Sequence, residues 1–321
     1  MGMQAAKTLE FHIKHGLATA RISAEDKHKD STMPMNDSPE LPAPVISHYQ
    51  TSLLLNARQE GLKSAITSID LGISTVEALI QVDGVVYPDS TMLGWADAEE
   101  ISSNENACYC IEDNVPVAIR GFSETLGRVY SLMPTPSAPV MLIAGFSMHR
   151  FKDIAPLKAA LAMVAPLAPV HGNILDTTTG LGYTAIEASR KASHVTTIEL
   201  CPVAQKMARM NPWSRELFGN PKITQIMGDC VEKIMTFADN SFSGVIHDPP
   251  TMSLAGDLYS GEFYKQVHRI VTPRGRMFHY LGDPDSATGA RVTRGAVKRL
   301  YDAGFRKVIS QPAAFGVVAC K

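Results

Sequence analysis

The chain is poor in cysteine and tryptophan for its length, with five and two respectively among 321 residues. Cys108, Cys110, Cys201, Cys230 and Cys320 form no C-x-x-C pair. That argues against a disulfide framework and against a zinc ribbon alike. Cys108 and Cys110 alternate within a strand-like run and have no histidine at ligand spacing, so no metal site is expected. Long hydrophobic runs are missing too. No stretch of about 18 apolar residues suggests a membrane span, and the first residues carry no continuous apolar signal core. The cytoplasm is the expected compartment. The net charge is −2, so no overall basic field draws the protein to nucleic acid or an acidic membrane. No internal repeat is visible.

What is present is an ordinary globular balance, 45% hydrophobic and 19% charged residues. Charge is uneven along the chain. From Lys265 onward Arg269, Arg274, Arg276, Arg291, Arg294, Lys298, Arg299, Arg306, Lys307 and Lys321 face only Asp283, Asp285 and Asp302. Such a run is ordinarily a solvated surface, and alternatively a face for an anionic substrate.

Three regions follow from the patterning. Residues 1–44 have no sustained period beyond a short helical stretch at residues 9–21, and 30–44 read as a Pro- and Ser-containing linker. Residues 45–150 read as a small, β-rich α+β domain. Helical spacing covers Val45–Lys63, and strands are expected at Ala65–Asp70, Thr75–Val82, Val85–Tyr87, Ala107–Ile111, Val115–Gly121, Arg128–Leu132 and Val140–Ile143. Asp83-Gly84 is a hairpin signal. Residues 151–321 alternate strand and helix from Pro156 onward, which implies a parallel sheet with helices on both faces. The last two strands, Arg306–Ser310 and Phe315–Ala319, have only a short Pro-containing connection and should pair antiparallel.

Asn173–Gly182, N-I-L-D-T-T-T-G-L-G, organises this third region. Ile174 and Leu175 end a buried strand at Asp176. Gly180 and Gly182, with Thr178 between strand and glycines, permit a tight turn before a helix from Tyr183. A strand, a glycine turn and a helix N-terminus aim backbone N–H groups into a crevice suited to a nucleoside-bearing ligand. The D-x-x-x-G-x-G spacing is neither the dinucleotide fingerprint nor a phosphate loop. Glu199 closes the next strand, V-T-T-I-E, where a carboxylate can accept both ribose hydroxyls. Gly228-Asp229-Cys230 follows the third strand and His247-Asp248-Pro249-Pro250-Thr251 the fourth. Consecutive prolines fix the chain in a rigid, extended form, suited to holding a carbonyl and a carboxylate beside a reacting centre.

In this order the four signals resemble class I S-adenosylmethionine-dependent methyltransferases over residues 170–321. The match is closest to a predicted archaeal-type methyltransferase family of undefined substrate, with N-P-W-S-R-E-L-F and L-Y-S-G-E-F-Y-K-Q-V-H-R-I-V its most distinctive stretches. The resemblance implies a Rossmann-like seven-stranded methyltransferase sheet with a terminal antiparallel hairpin. It implies S-adenosylmethionine held at Asp176, Thr178, Gly180, Gly182, Glu199, Asp229 and Cys230, with adenine at the last two. The acceptor nitrogen would meet Asp248, Pro249 and Pro250, as in the [D/N/S]-P-P-[Y/F/W] motif of amino-group methyltransferases. Thr251 departs from that motif where a stacking ring is usual; Tyr259, Phe263 or Tyr264 are candidate substitutes, and the acceptor is left open between RNA and a small metabolite. His247 and His279 are candidate helpers, though a histidine beside a strand is more often structural. Asn211-Pro212-Trp213-Ser214 either closes over the site or anchors a helix junction. The alternative enzyme is a polyamine aminopropyltransferase using decarboxylated S-adenosylmethionine, to which L-Y-S-G-E-F-Y-K-Q-V is similar. Against it, Val245 stands at the first position of that family's D-x-x-D. A non-catalytic sensor that keeps the cofactor pocket is the third reading.

Overall fold

Ser47 explains where the first helix starts. Its side chain caps the helix, and Gln50 Oε1 accepts the Ser47 N–H at 2.9 Å, a capping box in S-x-x-Q form. The computed structural model describes residues 43–321; the expected tail, including the helical stretch at 9–21, lies outside the described residues. The helix expected over Val45–Lys63 is therefore shorter. Val45–Ile46 is a strand, β1, and α1 runs His48–Gln59. Next come β2 (Ser64–Thr67), β3 (Val76–Ile80), β4 (Gly84–Val86), β5 (Met92–Gly94) and a second helix, α2 (Trp95–Ser103). Then follow β6 (Tyr109–Glu112), β7 (Val115–Ala118), β8 (Arg120–Ser123), β9 (Arg128–Met133), β10 (Val140–Ile143) and β11 (Phe146–Ser147). The strand expected over Val115–Gly121 is two strands in different sheets, broken at buried Ile119.

These strands make three antiparallel sheets, ordered β1-β6-β7, β2-β3-β4-β5 and β8-β9-β10-β11. The first two share an apolar cluster with α1 and α2 that includes Ile46, Leu54, Val85, Leu93, Trp95 and Ile111.

The remaining chain gives α3 (Pro156–Val164), β12 (Asn173–Asp176), α4 (Tyr183–Ser189), β13 (His194–Glu199), α5 (Pro202–Met210) and β14 (Ile223–Met227). It continues with α6 (Cys230–Thr236), β15 (Phe242–His247), α7 (Gly261–Ile270), β16 (Val271–Tyr280), α8 (Ala287–Asp302), β17 (Lys307–Gln311) and β18 (Gly316–Cys320). The seven strands are ordered β14-β13-β12-β15-β16-β18-β17, and only β18 runs against the rest. Sequence order reverses on either side of β12, which makes its C-terminal end the crevice of the sheet.

Both faces of this sheet are covered, as the continuous apolar strands require. Ile174, Ile246, Phe278 and Val318 point to one side, where Met163 of α3, Ala185 of α4 and Met207 of α5 pack. Their strand neighbours Leu175, Val245, Met277 and Val317 point to the other, against Ile234 of α6, Val267 of α7 and Leu300 of α8. This alternation is the period-two consequence of the pleat. The first of these cores also takes in Tyr130, Leu132, Met141 and Ile143 from β9 and β10. The antiparallel strands thus seal the α3–α5 side and reach the crevice. The N-P-W-S stretch anchors this arrangement. Asn211 caps a 3-10 turn, its amide donates to Tyr183 Oη, and Trp213 Nε1 donates to Leu71 O at 3.2 Å.

Several of the basic residues after Lys265 are spent on the fold. Arg269 bonds the carbonyls of Phe237 and Ile234, Arg299 that of Tyr259, and Lys321 Nζ those of His268 and Val271.

Candidate active site

The C-terminal ends of β12, β13, β14 and β15 bring the sequence-selected residues to one cleft. It is lined by Thr178, Gly180, Glu199, Asp229, Cys230, Asp248, Pro249 and Pro250. Asp176 and Gly182 shape this cleft from behind instead of lining it. The Asp176 carboxylate is wholly buried, and Thr184 and Thr197 hydroxyls both donate to its Oδ2 at 3.1 Å. Burial, with Asp248 nearby, pushes it up to about 8 against those hydrogen bonds. Its Oδ1 has no partner among the described residues. Gly182 has φ +77°, and a Cβ there would sit 2.6 Å from Leu217 Cδ2. A glycine is thus required twice over, by backbone conformation and by close packing.

Glu199 is held by the turn it faces. Gly180 N–H donates to Oε2 and Cys201 N–H to Oε1, each at 2.9 Å. Burial raises its pKa while those backbone donors pull it down. Each oxygen keeps a lone pair for a vicinal diol. Asp229 caps α6, its Oδ1 taking the Val231 N–H at 2.8 Å, and its second oxygen is free for a ligand. The Cys230 N–H, first of that helix, is left open by helix geometry.

At the end of β15 the two prolines are pinned. Thr178 Oγ1 donates to Asp248 O at 2.7 Å and Tyr259 Oη to Pro250 O at 3.1 Å. The Asp248 carboxylate, which lines the cleft, is left to face a substrate. Burial pushes Asp248 up to about 7, so it can change protonation near neutrality.

His247 and His279 sit beneath this strand end, fully buried. His247 Nε2 lies 2.9 Å from Leu258 O and so carries the proton, while Nδ1 accepts from Thr177 Oγ1 at 2.7 Å. Burial holds it neutral, lowered to about 3. His279 Nε2 pairs with Tyr264 Oη at 2.8 Å, and its ring centroid lies 4.5 Å from that of His247. Both act as struts for the turn and the strand end. Tyr259, Phe263 and Tyr264 are buried in the same stack and do not line the cleft, so none of them supplies a ring there. Leu254, Ala255 and Leu258 form that wall instead. The N-P-W-S stretch is likewise outside the cleft.

The opposite wall was invisible in the sequence. Arg128 and Tyr130 of β9, Met141 of β10, and the segment Met148-His149-Arg150 after β11 all line the cleft. No local motif marks them, because only long-range packing of the β8–β11 sheet on α5 brings them there.

No protein-family model matches the chain. The fold is an α/β Rossmann-like seven-stranded sheet of the kind seen in solved spermidine synthases. It is similar to spermidine synthase in complex with the transition state analogue AdoDATO, with TM-score 0.54 and 17% identity over 65% of this chain and 76% of that one. It is also similar to spermidine synthase from Thermotoga maritima, with TM-score 0.51 and 16% identity over 65% and 75%. At such identities the likeness speaks for the fold alone. In sequence the chain is 41% identical over 230 residues to uncharacterized protein MJ1233 of Methanocaldococcus jannaschii, covering 70% of this chain and 76% of that protein. It belongs to the family of that protein. A stretch of 147 residues is 27% identical to polyamine aminopropyltransferase 2 of Streptomyces coelicolor; it makes up 43% of this chain and spans about a quarter (26%) of that relative.

Proposed function

We propose that the chain is an alkyltransferase that takes its group from a sulfonium nucleoside and delivers it to an amine at Asp248-Pro249-Pro250. The observation that carries this reading is the cleft itself. A diol acceptor (Glu199), an adenine-edge pair (Asp229 and Cys230 N–H) and a nitrogen acceptor (Asp248) stand at successive strand ends. These residues fit a nucleoside donor. Glu199 would hold the ribose, Asp229 and Cys230 the base, and the Thr178–Gly180 turn the sulfonium arm.

The relatives favour aminopropyl transfer from decarboxylated S-adenosylmethionine over methyl transfer from S-adenosylmethionine. In either case displacement is in line: the amine nitrogen bonds to the carbon, the carbon–sulfur bond breaks, and sulfur keeps the pair. Alignment and exclusion of water are the protein's main tasks. Asp248 orients the amine and takes its proton, a role suited to a carboxylate poised near 7. One observation favours the methyl reading. Val245, where the aminopropyltransferase motif has its first acid, is buried in the α6–α8 core and unable to meet a second ammonium.

We assign acceptor choice to residues 45–150, treated as a small domain before the catalytic domain at 151–321, because β9, β10 and the β11 exit form the wall opposite Asp248. Point substitutions test this better than deletion, since Leu132 and Met141 belong to the core shared with α3–α5. Product analysis separates the readings of the whole chain. Methylthioadenosine release marks aminopropyl transfer, S-adenosylhomocysteine marks methyl transfer, and donor binding without either product would leave a sensor.

A further inference from the structure

The acceptor end of the cleft has the wrong charge for a linear polyamine. Its carboxylate is Asp248; Glu199 and Asp229 stand at the nucleoside end, and Val245 supplies nothing. Facing the cleft from the other wall is Arg150. Burial raises the Tyr280 phenol's pKa most; Asp248, Asp153 and Asp283 add to that and Arg150 lowers it. Asp248 and Arg150 thus both lie within electrostatic reach of that one side chain, with Asp153 and Asp283 outside the cleft lining. The second cation of the cleft, Arg128, belongs to the opposite end, where it and Glu199 act on Tyr130.

Arg150 is built in, not draped over the surface. Its side chain is 9% exposed and its guanidinium lies 3.5 Å from the centroid of Phe315. Nη1 donates to Ala313 O at 2.8 Å and Nη2 to the exposed carboxylate of Asp153. A purely structural role, tying the β11 exit to the β17–β18 turn, accounts for those contacts. It does not account for Nε, a buried donor with no partner among the described residues. Buried donors are almost always satisfied, so an orphan at a cleft wall marks a place for a ligand's acceptor. Around it the wall is apolar, with Met141, Ile143, Met148 and Met163.

We propose that Arg150 receives an anionic oxygen group of a bound substrate, and that the acceptor is an amine which carries that group beyond a short apolar body. The amine lies at Asp248 and the anion at Arg150, where the unpartnered Nε–H can donate a charge-assisted hydrogen bond. A diamine of the same length would bring an ammonium against a guanidinium, which selects against it. The inference rests on the alkyltransferase reading but names a substrate class that reading leaves open. The same oxyanion chemistry could come from the α-carboxylate of intact S-adenosylmethionine, so the test has separate arms.

The full chain is assayed with each donor against 4-aminobutyrate, 2-aminoethyl phosphate and 1,4-diaminobutane, following nucleoside thioether release by mass spectrometry. Native protein, Arg150→Lys and Arg150→Met are compared, with thermal melting to show that each is folded. The expected result is preference for an anionic amine, with Arg150→Met raising its KM about tenfold or more, kcat changing less, and Arg150→Lys intermediate. Weaker binding of S-adenosylmethionine but not its decarboxylated form in Arg150→Met would instead assign the anion to the donor. Preference for the diamine, or no change in either arm, would overturn the inference. Should neither donor bind, the alkyltransferase reading falls, and calorimetric binding of 4-aminobutyrate to native protein but not to Arg150→Met decides the anion site by itself.

Discussion

Replacing Asp248 with asparagine should make the protein less active and more stable at once. The carboxylate is pushed from an ordinary 3.8 up to about 7 by burial at the strand end. The folded state therefore binds this proton more tightly than the unfolded chain does, and stability falls as pH rises from about 4 to about 7. Taken whole, that interval corresponds to about 4 kcal/mol. The side chain is only half-buried and opens on the cleft, so water recovers part of it, and a gain of about 1–3 kcal/mol for the asparagine variant is expected above neutrality. Near pH 4 both side chains are neutral and the two proteins should be about equally stable. The Thr178 bond goes to the backbone carbonyl and survives the change. Activity should move the other way. Native kcat/KM should climb through about 7 as the carboxylate forms. The variant should lose that limb and about two to four orders of magnitude in rate. Urea unfolding at about pH 4 and pH 8, beside a pH–rate profile, tests both halves. A variant no more stable than native at the higher pH, with the limb unchanged, would refute the assignment of Asp248.

Glu199→Gln keeps the shape but forces an amide donor toward the Gly180 or Cys201 N–H, so nucleoside affinity should drop about tenfold to a hundredfold by calorimetry. Gly182→Ala should cost about 1–3 kcal/mol in denaturant unfolding, because of its positive φ and the Leu217 contact. Gly180→Ala should cost less, its nearest neighbour being Met141 Cε at 3.8 Å. His247, lowered to about 3 by burial, contributes stability present above its ordinary 6.5 and lost as pH falls toward about 3. His247→Gln should therefore be closer to native in stability at about pH 5 than at about pH 7 in urea titrations.

The strand ends were legible because each carries a residue with its own punctuation. Glycines stand where φ turns positive after β12, an aspartate caps α6, and a proline pair ends β15. The alternation of strand and helix patterns between them pointed to a parallel sheet covered on both faces, whereas its seven-stranded layout came from the family resemblance. Helical spacing alone put the first helix start at Val45 and missed the capping box of Ser47 and Gln50, which starts α1 at His48. By contrast, α2 follows Gly94, which offers no side-chain cap, and the first turns of α8, after the Ser286 cap, lie in a Gly-containing stretch that weakens the helical pattern. Arg128, His149 and Arg150 gave no signal. Their place depends on how β8–β11 packs against α5, a contact between segments far apart in the chain.

The central claim is that this cleft binds a sulfonium nucleoside. It is tested most directly by calorimetric titration of the full chain with S-adenosylmethionine, its decarboxylated form and S-adenosylhomocysteine, with Glu199→Ala as control. Saturable binding of at least one donor is expected, with the decarboxylated form preferred if aminopropyl is the group moved, and that binding should be lost in Glu199→Ala. Absence of binding by all three, or binding that Glu199→Ala leaves intact, would contradict it.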